Sequence, residues 1–136
     1  MFRTLDEKVL VAGQIDESDV AQAAAAGVTT IVNNRPDGEE PGQPEGASIE
    51  SAARSAGLDY VHIPIAGGLS ADQVEAMADA IDAAPGKMLL FCRSGTRSTY
   101  LWALARARSG ADGETLAEQA AEAGYDLSPI LRHLKR

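Results

Sequence analysis

Four short apolar runs punctuate the chain: Val9 to Ala12, closed by Gly13; Val28 to Val32, with two threonines; Tyr60 to Ile65; and Met88 to Phe91. Each is too short for a helix and rich in residues that pack on a pleated surface, so each is expected as a strand. Met88 to Phe91 lacks polar alternation, which predicts a central strand covered on both faces. Between these runs the spacing becomes helical. Asp16 is the expected N-cap of a first helix, with Ile15 packing on Val20 and Gly27 as its stop. Ile49, Ala52, Ala53 and Ala56 share one face of a second helix, and Gly57 follows. Ser70 and Gln73 predict a capping box ahead of Val74, Met77, Ala78 and Ile81, with Pro85 and Gly86 as breakers. Leu101, Leu104 and Ala105 mark a further helix that Gly110 ends. Glu114 to Ala123, and a start at Ser128 and Pro129, predict two closing helices. Strands alternating with helices predict an α/β fold, a three-layer αβα arrangement around a mainly parallel sheet, forming one domain over residues 1–136. The stretch Asn33 to Gly46 holds three prolines, three glycines and four acids, and is expected as a long loop of the kind that often carries function.

Composition narrows the function classes. With 45% hydrophobic and 24% charged residues the chain reads as an ordinary globular protein. No apolar run approaches the roughly 20 residues of a membrane span, and the amino end shows no secretory signal. A single cysteine forms no internal disulfide, so a reducing, cytoplasmic setting is expected. The net charge of −8 argues against general nucleic-acid binding. That charge is unevenly spread. Between Asp82 and Asp112 there is no carboxylate, while Lys87, Arg93, Arg97, Arg106 and Arg108 all fall in that window. The lone cysteine, Cys92, lies within it, and a cationic setting both favours a thiolate and attracts an anionic substrate.

Residues Cys92-Arg93-Ser94-Gly95-Thr96-Arg97-Ser98 lead from the buried fourth run straight into a helix. A loop that curls there, as Gly95 permits, turns its amides and the positive helix end into an anion nest with Cys92 at the rim. Cys92 is then the expected nucleophile and Arg97 the two-pronged clamp on an incoming oxyanion. Arg93, Ser94, Gly95, Thr96 and Ser98 are the expected substrate-binding positions around it. Ser94 and Ser98 are placed to bond the sulfur or tie the loop. His62 and His133 have no ligand partner at metal spacing, so neither a metal nor another cofactor is expected. Asp37, in the long acidic loop, is the candidate proton donor.

The Cys92 loop is similar to two enzyme signatures. Cysteine-dependent tyrosine and dual-specificity phosphatases carry one residue more between cysteine and arginine, and a histidine where Phe91 stands. Single-domain rhodaneses carry a Cys-Arg-x-Gly-x-Arg/Thr loop, which Cys92 to Arg97 resembles throughout. The chain as a whole resembles the phosphatase-like domain of the beta-lactamase-hydrolase-like proteins, a bacterial family often labelled as sulfur transferases and found alone or fused to a metallo-hydrolase domain. The resemblance rests on Ala12 to Ile15, Ala-Ala-Gly-Val, Asn33-Asn34-Arg35-Pro36-Asp37-Gly38-Glu39, His62-Ile63-Pro64 and Cys92 to Ser98. It implies a fold like that of the dual-specificity phosphatases.

Where those phosphatases place an acidic residue, after the third strand, this chain has Ala66-Gly67-Gly68, leaving Asp37 and Asp72 as the nearest substitutes. Sulfur transfer needs no strong acid, since sulfite and thiolates leave readily as anions. The expected activity is therefore rhodanese-like: a sulfane sulfur passes from thiosulfate or a persulfide to a thiol through a Cys92 persulfide, with a persulfide-metabolising enzyme as a potential partner. The alternative is hydrolysis of phosphate monoesters through a Cys92 phosphocysteine. A third reading is a module that binds anions or senses persulfide.

Overall fold

The computed structural model describes residues 2–134. Five strands form one sheet in the order β1-β2-β5-β3-β4: β1 (Arg3–Thr4), β2 (Val9–Ala12), β3 (Val28–Asn33), β4 (Asp59–His62) and β5 (Lys87–Phe91). The four strands foreseen in the sequence pair in parallel, and β5 is central. The two-residue β1, too short and polar to show in the pattern, adds an antiparallel edge. The run Tyr60 to Ile65 is a strand only as far as His62. Beyond it Ile63 and Ile65 still donate their N–H groups to Asn33 O and Asn34 O, at 2.9 and 3.0 Å, either side of Pro64.

Helices α1 (Glu17–Ala25) and α2 (Gly46–Ser55) cover one face, and α3 (Ala71–Ala83), α4 (Thr96–Arg108), α5 (Gly113–Glu122) and α6 (Leu131–Leu134) the other. The caps are those the sequence offers. Asp16 and Asp19 form a reciprocal capping box on α1, as do Ser70 and Gln73 on α3. The chain leaves α1 through Gly27, whose φ of 93° favours glycine. The final predicted helix is split, a 3-10 turn at Ser128–Ile130 preceding α6.

The sheet therefore separates two apolar cores. Ile15, Val20, Ile31, Ile49 and Leu89 pack under α1 and α2, while Val11, Val32, Met88, Leu90, Leu101 and Trp102 pack under α3 to α6. Adjacent β5 residues serve opposite cores, which is why that strand has no polar face. No helix among the described residues is long and apolar enough to cross a membrane.

Candidate active site

Ala12, Phe91, Asn33 and His62 lie in register across the carboxyl ends of the four parallel strands. The residues that follow each of them build the site, where loops meet helix ends. After β5 comes Cys92, fully buried. Gly95 donates its N–H to Cys92 Sγ at 3.1 Å, so the chain doubles back on the sulfur within three residues. Gly95 is the residue before α4 and has φ 93°, and a Cβ there would overlap the Tyr125 hydroxyl. Only glycine meets both demands. The amino end of α4, the positive end of its dipole, is thereby brought against the sulfur.

The rest of the loop is braced from three sides. Ser94 Oγ donates to Thr96 Oγ1 at 3.1 Å, and Ser94 O accepts from Tyr125 Oη at 3.0 Å. Gln14 donates its N–H to Arg93 O at 3.2 Å across the β2–α1 turn. A methyl on Gly13 would come within 2.9 Å of that same oxygen, so the close approach requires glycine there as well. Thr99 N–H and Oγ1 both donate to Gly95 O, at 2.9 and 2.8 Å, pinning the first turn of α4. Ser98 Oγ is buried with no hydrogen-bond partner, an unspent donor in that turn.

Arg97 is held by two elements. Its Nη1 donates to Glu39 Oε2 and to Ile65 O, both at 2.6 Å, and its Nη2 donates to Glu39 Oε1 at 2.8 Å. Neither contact uses Nε. The hydrogen bonds it donates to Glu39 raise the pKa of the guanidinium above its ordinary value. Desolvation opposes this, and the negative charge of a Cys92 thiolate adds to it. Glu39 answers in kind. Its carboxyl is lowered to about 2, first by the Arg97 hydrogen bond and then, against desolvation, by that of Arg35.

Arg35, 1% exposed, anchors this arrangement from the loop after β3. Its Nε donates to Glu39 Oε1 at 2.8 Å, Nη2 to Glu40 Oε1 at 2.8 Å and Nη1 to Gln14 Oε1 at 3.0 Å. A buried guanidinium is tolerable because each of these donors is matched. Asn33 Oδ1 accepts the Arg35 N–H at 2.8 Å, and Asn34 donates from Nδ2 to Ile63 O at 3.0 Å, fixing where the acidic loop leaves the sheet.

The structure thus groups Cys92, Ser94, Gly95, Thr96, Arg97 and Ser98 in one turn. Arg93 stands at the outer edge, its side chain 67% exposed and 3.5 Å from Glu40. Asp37 accepts the Gly46 N–H at 2.7 Å and so caps α2, whose own N-cap residue Glu45 makes no side-chain bond. Asp72 is exposed in the first turn of α3. Among the described residues no hydrogen bond or ion pair joins either aspartate to the Cys92 loop.

Three residues escaped the sequence reading: Arg35, Glu39 and Tyr125. The signal for the first two was complementary charge, since a carboxylate-free arginine segment needs acids from elsewhere and the long acidic loop supplies them. Tyr125 left no local mark.

Beside Arg97 opens a cavity of about 500 Å³, walled by Ile65, Leu69, Val74, Tyr100 and Leu104. Among the described residues no cluster of three or more His, Cys, Asp or Glu side chains could hold a metal ion.

Comparison with known proteins places these features. A sequence profile of the beta-lactamase hydrolase-like protein, phosphatase-like domain, matches residues 1–109. Beta-lactamase hydrolase-like proteins of Xylella fastidiosa and Agrobacterium fabrum are each 35% identical over 134 residues, 97% of this chain. The chain spans only 31% of the length of those curated relatives. Among solved structures, a candidate phosphatase of Neisseria meningitidis matches with TM-score 0.85 and 32% identity, covering 98% of this chain and 95% of that one. TpbA of P. aeruginosa, solved in complex with pTyr, shares the fold at TM-score 0.68 and 16% identity, covering 98% and 79% of the two chains.

Proposed function

Given that the chain belongs to the phosphatase-like domain family of the beta-lactamase hydrolase-like proteins, we propose that it is a cysteine-dependent hydrolase of phosphate monoesters, with Cys92 as nucleophile and Arg97 as oxyanion clamp. The observation that carries this reading is the turn after β5, where Cys92 Sγ accepts the Gly95 N–H at 3.1 Å with Arg97 in the next helical turn. The phosphatase-like relatives favour this reading over the sulfur transfer anticipated from the loop sequence alone.

In the reaction, Cys92 sulfur attacks phosphorus, the S–P bond forms and the ester P–O bond breaks. The leaving oxygen departs with the bonding pair. Water then attacks phosphorus, the S–P bond breaks, inorganic phosphate leaves and the thiolate is restored. The α4 amides, the Ser98 hydroxyl and Arg97 are the groups available to meet the charge on the three phosphoryl oxygens. Glu39, ionised well below neutral pH, has no proton to give the leaving group, and Asp37 is spent on α2.

The favoured substrates are therefore aryl phosphates, whose phenoxide leaves without full protonation, with the ring beside Arg97 against Ile65 and Tyr100. The expected result is hydrolysis of an aryl phosphate, with a phosphoryl adduct on Cys92 trapped by rapid acid quench and mass spectrometry. The rival reaction is attack of the Cys92 thiolate on the outer sulfur of thiosulfate, forming one S–S bond, breaking another and expelling sulfite. What favours it is the single residue missing between Cys92 and Arg97 relative to the phosphatase signature. A sulfur adduct with turnover on thiosulfate, and none on aryl phosphates, would decide for it.

A further inference from the structure

A guanidinium can meet a planar anion along either of two edges, and in this site one edge is already taken. Glu39 grips Arg97 through both Nη atoms, and Ile65 O accepts a third bond from Nη1. Neither of these contacts uses Nε, so the edge formed by Nε and Nη2 is the one left for a substrate. Glu39 is itself not free to move. Oε1 also accepts from Arg35 Nε at 2.8 Å, and Arg35 is buried and tied to Gln14 and Glu40. A rigid line therefore runs from the β2–α1 turn through Arg35 and Glu39 to Arg97.

We propose that Glu39, seated on Arg35, is the positioning residue for the anion clamp: it fixes Arg97 by its outer edge so that the Nε edge faces the tetrahedral anion over Cys92. This rests on the phosphate-binding reading above and adds to it a residue that touches neither substrate nor sulfur. The opposite role, a carboxylate that competes with substrate for Arg97, makes the opposite forecast, so one variant distinguishes them.

Glu39→Gln replaces one acceptor oxygen with an N–H donor group facing Arg97 and removes the charge. The expected outcome is a fall of about tenfold or more in kcat on an aryl phosphate, together with a rise in KM, because a misaimed clamp weakens the transition state more than simple binding. Inorganic phosphate, measured by calorimetry without turnover, should bind about tenfold more weakly. Glu39→Asp keeps the charge with shorter reach and should recover part of both losses. A merely structural role would lower the melting temperature and leave phosphate affinity and the balance of kcat against KM unchanged in the folded protein, and that result overturns the proposal. Tighter phosphate binding by Glu39→Gln overturns it in favour of competition. Should Glu39→Gln fail to fold, wild-type phosphate affinity in Glu39→Asp is the overturning result. Wild type that binds phosphate but hydrolyses no ester removes the proposed reaction while the calorimetry still decides the role of Glu39; wild type that binds no phosphate removes both.

Discussion

Cys92 and Gly95 are separated by two residues and meet at one hydrogen bond, and each fails differently when altered. Cys92→Ser keeps the size and the Gly95 contact but offers a hydroxyl that is not ionised at neutral pH. Turnover should fall on the order of 10⁴-fold or more, with phosphate binding retained, as steady-state kinetics and calorimetry would register. Gly95→Ala must hold φ near 93° and overlap the Tyr125 hydroxyl. It should cost about 1–3 kcal/mol of stability in urea unfolding. The two causes separate in a double-mutant cycle, since Gly95→Ala in a Tyr125→Ala background keeps only the backbone part. Equal losses in both backgrounds would show that the hydroxyl yields freely.

At the scale of elements, the loop between β3 and α2 behaves as a strap whose buckle is a charge cluster. Arg97, Arg35 and Arg93 are matched against Glu39 and Glu40. The Glu39 carboxyl drops from 4.5 to about 2 on folding, so its contribution is fully present above roughly pH 4.5 and is lost as pH falls toward about 2. Glu40 shifts in the same direction, first through its Arg35 hydrogen bond. Acid titration of unfolding free energy should therefore show a decline across that window which Glu39→Gln lacks. An unaltered slope in the variant would mean that the pair is worth nothing to the fold. This strap also marks the boundary of what the sequence disclosed. Strand and helix order, the caps at Asp16 and Ser70, and the Cys92 turn follow from patterns within ten or so neighbours, and these were legible. Glu39 to Arg97 is a contact across 58 residues, and proline, glycine and acid in the loop that carries Glu39 read locally as solvated chain. Asp37 shows the same limit. Its carboxylate was a plausible acid by composition, yet the chain turns so that it caps the helix beginning nine residues on.

At the scale of the molecule, the sheet is the element shared by the two cores among the described residues, so stability hinges on whether it couples them. Each β5 side chain from Met88 to Phe91 belongs to one core while the strand's backbone pairs with both β2 and β3. A loss on one face is then felt on the other through strands that cannot hold their ladder alone. Trp102 is the chain's single tryptophan; it is fully buried in the α3 to α6 core and its Nε1–H donates to Asp6 Oδ2 at 2.9 Å. Its fluorescence thus reports one face only. Ile31, also fully buried, packs in the other core under α1 and α2. Ile31→Ala should cost about 2–5 kcal/mol and move the Trp102 unfolding midpoint as far as the midpoint read by far-ultraviolet circular dichroism. Coincident shifts mean that the two layers unfold as one unit, and the Cys92 turn, seated where both meet, is as stable as the whole. A tryptophan transition left in place while the dichroism splits in two would show instead that the α1 and α2 layer, and the strap with it, melts independently of the core that carries α4.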